Sequence, residues 1–235
     1  MIRFRKISTC MIGLSLLIAP ASISAADKAP DTWDGLYKVK AKKMELVYLQ
    51  PQADFRSYTK VLLDPAEVAF RKNWQRDQND DRLDLANRVS DSDARRILDA
   101  ARDGLAKVFT KAYQNAGYQV VTAPGPDVLR ISTAVVNLDV AAPDVMTAGR
   151  SRSYSREAGS ATLAVEARDS VSGSLLGRAV DSRDTGDAGL FIRNSVTNSS
   201  EFEQLFASWA KISAQGLNEL KELSPIDTNG QMVKK

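Results

Sequence analysis

The strongest alternation of apolar and polar positions lies between residues 92 and 116. Ala94, Ile97, Leu98, Ala101, Leu105, Val108, Phe109, Ala112 and Ala116 recur at three- and four-residue steps. Arg95, Asp99, Arg102, Asp103, Lys107 and Lys111 fill the opposite side. That is the period of an amphipathic helix with one face on a core. Ser90 stands three residues before Asp93, a capping-box spacing, and Gly117 supplies the stop. The same period predicts a second helix over 200–223, with Phe202, Leu205, Phe206, Trp209, Ile212, Gly216, Leu217 and Leu220 on one stripe. Ser200 and Glu203 offer a capping box, and Pro225 marks the end.

Between the helices the period changes. Ala161, Leu163, Val165 and Ala167 alternate with Thr162, Ala164, Glu166 and Arg168, the pattern of a half-buried strand. Ser172-Gly173 turns the chain into 174–182, giving a hairpin. Val128–Val140 is apolar on both faces at several points, which suggests a central strand. Tyr118–Val121 and Met44–Leu49 are shorter candidates. Lys60–Phe70 is richer, but Pro65 cannot donate to a ladder and belongs at an edge or a bulge. Residues 77–93 read as an acidic, irregular connection. No internal repeat or hinge-like linker interrupts this order, so an α+β fold is expected. One domain over 44–225 carries a mixed or antiparallel sheet covered by two helices, 92–116 and 200–223. Residues 27–43 read as a polar lead-in, with Trp33, Leu36 and Tyr37 as its few core candidates, and 226–235 as a disordered tail.

The first 26 residues have a different character. Arg3, Arg5 and Lys6 precede an apolar run from Met11 to Ile18, then Pro20 and small residues through Ala26. This is the order of a secretory signal peptide. Cutting after Ala26 places Ser24 and Ala26 at the two small-residue sites, whereas cutting after Ala25 places Ile23 at one of them. The apolar run is far shorter than the roughly 20 residues of a membrane span, so no stable anchor is expected. Cys10, the only cysteine, precedes the apolar run rather than following it, which argues against lipidation. A soluble periplasmic protein is the expectation.

Removing the signal changes the charge. Three of the 32 Lys+Arg leave with it and no acid does, leaving 29 against 29 Asp+Glu. Nucleic-acid binding therefore has no electrostatic basis. With no histidine anywhere and no cysteine after residue 26, the usual zinc ligands, neutral-pH proton shuttle and thiol nucleophile are missing. No metal centre and no cofactor are expected, and no catalytic residues are assigned.

Two stretches invite a site. Asp77, Asn79 and Asp81 match the first liganding positions of a calcium loop, but Arg82 replaces its glycine and Arg88 its closing glutamate. The loop 147–160 sets Arg150, Arg152 and Arg156 around Tyr154, a combination suited to an anionic group or a partner surface. Phosphate-cradling loops, a nucleophile elbow and a Ser-x-x-Lys motif are absent. Carboxylate catalysis would have to pair acids such as Asp64, Glu67, Glu166 and Asp169.

Four stretches carry a resemblance: Tyr58–Pro65 (YTKVLLDP), Pro124–Arg130 (PGPDVLR), Ala164–Gly173 (AVEARDSVSG) with Ala179–Arg183 (AVDSR), and Phe206–Ala210 (FASWA). Their order and spacing resemble the bacterial envelope proteins of the domain of unknown function 3313. The resemblance implies an envelope location and supplies no activity and no catalytic residues. Many members look like lipoproteins, and this chain departs from them in having no cysteine after its apolar run. More loosely, the element order is similar to small α+β domains of envelope assembly lipoproteins.

A non-catalytic binding or adaptor protein, with another envelope protein as partner, is the leading expectation. An envelope-polymer enzyme would instead require two acids facing one cleft at roughly 5–10 Å, and a small-ligand binder a closed apolar pocket between sheet and helices.

Overall fold

The computed structural model of the chain describes residues 29–80, 88–141, 153–155, 159–185, 191–193 and 195–227. The first half contains β1 (Thr32–Trp33), β2 (Leu36–Val39), β3 (Leu46–Leu49), β4 (Lys60–Leu63), β5 (Glu67–Phe70), α1 (Trp74–Asp80) and α2 (Asp91–Asn115). The second contains β6 (Gln119–Val121), β7 (Val128–Val140), β8 (Ser153–Ser155), β9 (Gly159–Asp169), β10 (Leu175–Thr185), β11 (Phe191–Arg193) and α3 (Ser195–Leu223). Nine strands form one mixed sheet in the order β1-β2-β3-β10-β9-β7-β4-β6, with β5 also along β7; β8 and β11 pair separately. Residues from Asp31 onward make one compact unit, the α+β domain the periodicities predict.

The long hairpin is the centre of the sheet. β9 and β10 are antiparallel, with Val165 opposite Ala179, and β9 pairs with β7 through Ile131 opposite Ala167 and Val135 opposite Leu163. Alternate residues of these strands point to one buried face, and the stripes of α2 and α3 close over it. Trp209 of α3 and Leu105 and Phe109 of α2 are buried there. The helices are tied to each other and to their surroundings by polar bonds at the edge. Tyr118 donates to Asn218 Oδ1 at 2.6 Å, and burial pushes its hydroxyl up to about 12, so it remains a donor. Lys221 Nζ donates to the Tyr58 carbonyl at 2.9 Å.

Several details differ from the sequence reading. The lead-in is part of the sheet: β1 and β2 form a hairpin on β3, and Leu36 has no exposed surface. Asp34 and Gly35 turn it with φ of 51° and 80°, the left-handed pair a two-residue hairpin needs. Lys60–Phe70 is two strands rather than one. β4 and β5 both run parallel to β7 along one edge, interrupted around exposed Pro65, where no ladder donor is available.

The acidic connection begins with a helix, because Trp74 anchors it. Its ring stacks on Phe70 at 3.8 Å between centroids, and its Nε1 donates to the Val140 carbonyl at 3.2 Å. α3 starts before Ser200, so the Ser200–Glu203 spacing lies inside a helix; a local hydroxyl–carboxylate pair does not by itself stop one. Ser90 caps α2 as expected, with both bonds of the capping box present. Beyond Leu223 the chain remains attached as far as Ile226, which is buried and exchanges backbone bonds with Gln52 and Ala53 at 2.9 Å each.

Candidate functional site

Between the sheet and α3 lies a pocket of about 520 Å³. Its floor is the buried face of four neighbouring strands: Val47 and Leu49 of β3, Gly177 and Ala179 of β10, Val165 and Ala167 of β9, and Leu129 and Ile131 of β7. Its roof is one side of α3, Ile212, Ser213, Gly216, Leu217, Leu220 and Leu223, and Phe55 and Tyr113 complete the lining. The space exists because small residues meet across it. Ala179 and Ala167 face upward from the sheet, and Ser213 and Gly216 face down from the helix. Close packing is the rule in protein interiors, and a void this size forfeits contacts that bulkier residues would make.

Gly216 is the informative member. A Cβ built there meets nothing within 4 Å, and its φ is not in the left-handed region. Neither close packing nor backbone geometry requires glycine at that helix position, where it costs about 1 kcal/mol relative to alanine. Gly104 in α2 also has open surroundings, but it does not line the pocket. Gly177 is different: a Cβ would approach Leu49 Cδ2 to 2.8 Å, so the strand needs glycine for the Leu49 side chain to lie across it.

Inside, two hydroxyls bond each other. The Tyr113 hydroxyl and Ser213 Oγ are 2.8 Å apart, and burial pushes the phenol well above its ordinary pKa, which keeps it neutral. Apart from Arg178 of β10, whose guanidinium pairs with Asp34 and Glu166, charge appears at the mouth. The β2–β3 connection contributes Lys40, Lys42 and Lys43; α3 contributes Glu219 and Glu222. Lys43 bridges the two lips, with Nζ 3.2 Å from Glu219 Oε1 and 3.4 Å from Gln215 Oε1.

The other candidate residues lie elsewhere. Arg150, Arg152 and Arg156 fall outside the described residues; Tyr154 is in β8, opposite Ile192 of β11. Of the calcium-loop residues, Asp77 accepts from Arg71 and Arg76, while Asn79 exchanges two bonds with the Val89 backbone. Asp81 lies outside the described residues.

The acids considered for catalysis are dispersed. Asp64 accepts Arg130 Nε at 2.9 Å and Ser132 Oγ at 2.5 Å, beside a second hollow of about 390 Å³. Glu166 accepts Arg168 and Arg178, Asp169 holds the β9–β10 turn and Tyr58, and Glu67 is exposed on β5. Sequence reasoning did not find the pocket, although the lysine-rich segment 38–43 and the unexplained Gly216 in an apolar stripe are visible signals.

The family described as "Protein of unknown function (DUF3313)" matches residues 31–212, a span that opens one residue before β1. The chain belongs to the DUF3313 family. Among curated proteins none matches it. Solved structures resemble this DUF3313 member at low identity. The PelC dodecamer of Paraburkholderia phytofirmans is 11% identical, with 72% of this chain and 96% of that one covered and a TM-score of 0.35. Protein XCC0632 of Xanthomonas campestris is 12% identical, covering 73% and 88% with a TM-score of 0.40. A putative neuraminyllactose-binding hemagglutinin homolog of Helicobacter pylori is 12% identical, covering 80% and 98% with a TM-score of 0.36. Scores at this level carry no argument about this chain's activity. Among the described residues, no helix is long and apolar enough to cross a membrane.

Proposed function

We propose that this DUF3313 protein is an exported, non-catalytic binding protein of the cell envelope that holds an apolar small molecule between its sheet and α3. The observation carrying the reading is the pocket of about 520 Å³, within the size range of small-molecule sites, with small residues facing each other on both walls. Export is supported by the signal-peptide order of residues 1–26. A binding role rather than a catalytic one is supported by the interior: its two hydroxyls bond each other, and Asp64, Glu166 and Asp169 are each engaged elsewhere. Of the roles read from the sequence, the small-ligand binder is the one this geometry favours.

The test is titration of the purified protein with Nile red, a neutral apolar fluorophore, in parallel with Gly216→Phe and Gly104→Ala. Saturable one-to-one binding is expected for the native protein and for Gly104→Ala. Gly216→Phe, which fills open space, should weaken binding at least ~10-fold while the melting temperature holds or rises. Equal binding by Gly216→Phe would remove the pocket as the site.

A further inference from the structure

The pocket offers different chemistry at its two ends. Its interior presents mainly aliphatic and aromatic carbon with one hydrogen-bonded hydroxyl pair, and Arg178, the charged residue of its floor strands, is paired with Asp34 and Glu166. Its mouth has unlike lips. On one, the sequence Lys40-Ala41-Lys42-Lys43 sets three cations within four positions; on the other stand Glu219 and Glu222 of α3. Lys43 is committed to Glu219 and Gln215. Lys40 and Lys42 are exposed and make no ion pair among the described residues.

We propose that the occupant is a single-chain amphiphile with an anionic head, a carboxylate or a phosphate ester. Its chain lies between the sheet and α3, and its head rests at the β2–β3 lip against Lys40 and Lys42. This inference rests on the pocket being the binding site. Lysine suits the task because its ammonium is a compact charge on a long apolar stem, which can cover the neck of a chain while reaching an anion in water. Most lysine runs are simply solvated; this one borders an opening into carbon. The lips also set the ligand's direction, since the glutamate side repels an anion and the lysine side attracts it.

Calorimetric titration below micelle concentrations tests the assignment with dodecanoate, dodecyl phosphate, dodecanol and dodecyltrimethylammonium. One or both anions should bind one-to-one, at least ~10-fold more tightly than the alcohol and more tightly still than the cation. Whichever anion binds better identifies the head as carboxylate or phosphate. Raising salt should weaken anion binding and leave the alcohol unchanged. Lengthening the chain should strengthen binding by about fourfold per methylene until the pocket is full. In the double variant Lys40→Gln with Lys42→Gln, anion affinity should fall toward that of the alcohol, whose own affinity should hold. Dodecanol binding as tightly as the anions, or tightest binding by the cation, overturns the head-group inference and leaves the apolar pocket standing. No binding by any of the four, with Nile red bound equally by Gly216→Phe, overturns both.

Discussion

The indole Nε1 of Trp209 donates to Asp181 Oδ2 at 2.7 Å, joining α3 to the middle of β10 in the protein interior. Asp181 is 6% exposed and also accepts the Glu45 backbone N–H at 2.9 Å and Arg183 Nε at 2.6 Å. One carboxylate thus holds the final helix, the start of β3 and its own strand together. A buried carboxylate with this many donors is well compensated; removing it leaves the buried Trp209 indole N–H without its acceptor, while Arg183 keeps the Lys43 carbonyl at 2.9 Å.

Asp181→Ala should therefore lower unfolding stability by about 3 kcal/mol, because the buried indole donor loses its acceptor and the Glu45 amide and Arg183 lose a bond. Trp209→Phe removes one bond and some packing, and should lower it by about 2 kcal/mol. Urea unfolding of the two single variants and the double variant measures the coupling. The pair should be non-additive by about 1 kcal/mol or more; strict additivity would mean the bond contributes nothing.

The β1–β2 hairpin should be required for folding. Trp33 meets Tyr48 edge-on at 5.6 Å, and the Arg178 guanidinium sits 4.1 Å from its ring centroid. Arg178 also pairs with Asp34 at 2.8 Å and Glu166 at 2.6 Å. A chain beginning at residue 44 would lose Leu36 from the core and uncover Tyr48, both with no exposed surface in the fold. That shortened chain should lose cooperative unfolding by circular dichroism, whereas one beginning at residue 29 should retain it. Trp33→Ala in the full chain should lower stability by about 1–2 kcal/mol. An unchanged denaturation midpoint for the chain from residue 44 would show that the hairpin is dispensable.

Acid should weaken the β9–β10 turn through Asp169. The Ser172 backbone N–H, chiefly, with the Ser172 and Tyr58 hydroxyls and the Val171 N–H, holds its carboxyl below the usual aspartate range. A carboxylate with a depressed folded pKa stabilises the fold above its unfolded pKa of roughly 4. That contribution is lost as pH falls through the lower folded value. Urea midpoints measured from about pH 7 downward should fall less steeply below about pH 4 for Asp169→Asn than for the native protein. Parallel curves would exclude Asp169 as a contributor to acid sensitivity.

How much could be read in advance depended on the range of the interaction. The α2 stripe, its Ser90–Asp93 cap, the long β7, the β9–β10 hairpin and the break at Pro65 all follow from local periodicity and backbone chemistry. The β1–β2 hairpin was legible too, in the Asp34-Gly35 turn between Trp33 and Leu36, but the polar residues around it obscured the signal. The α3 start was misplaced because a capping-box spacing can also occur within a helix. Trp74 illustrates the opposite case: its helix depends on Phe70 and Val140, and Val140 is remote in sequence.

The sequence by itself determined the α+β class, the buried faces of the main elements, and a chain whose residues after 26 contain neither histidine nor cysteine. Local period decides these, since each helix or strand displays its own pattern whatever it packs against. The tertiary structure alone decided that β4 and β5 run parallel to β7, that Asp181 meets Trp209, and that Ala179, Ala167, Ser213 and Gly216 face one another. A pattern of small residues says that space is available at each position. Only the packing of distant segments brings those spaces together into a pocket.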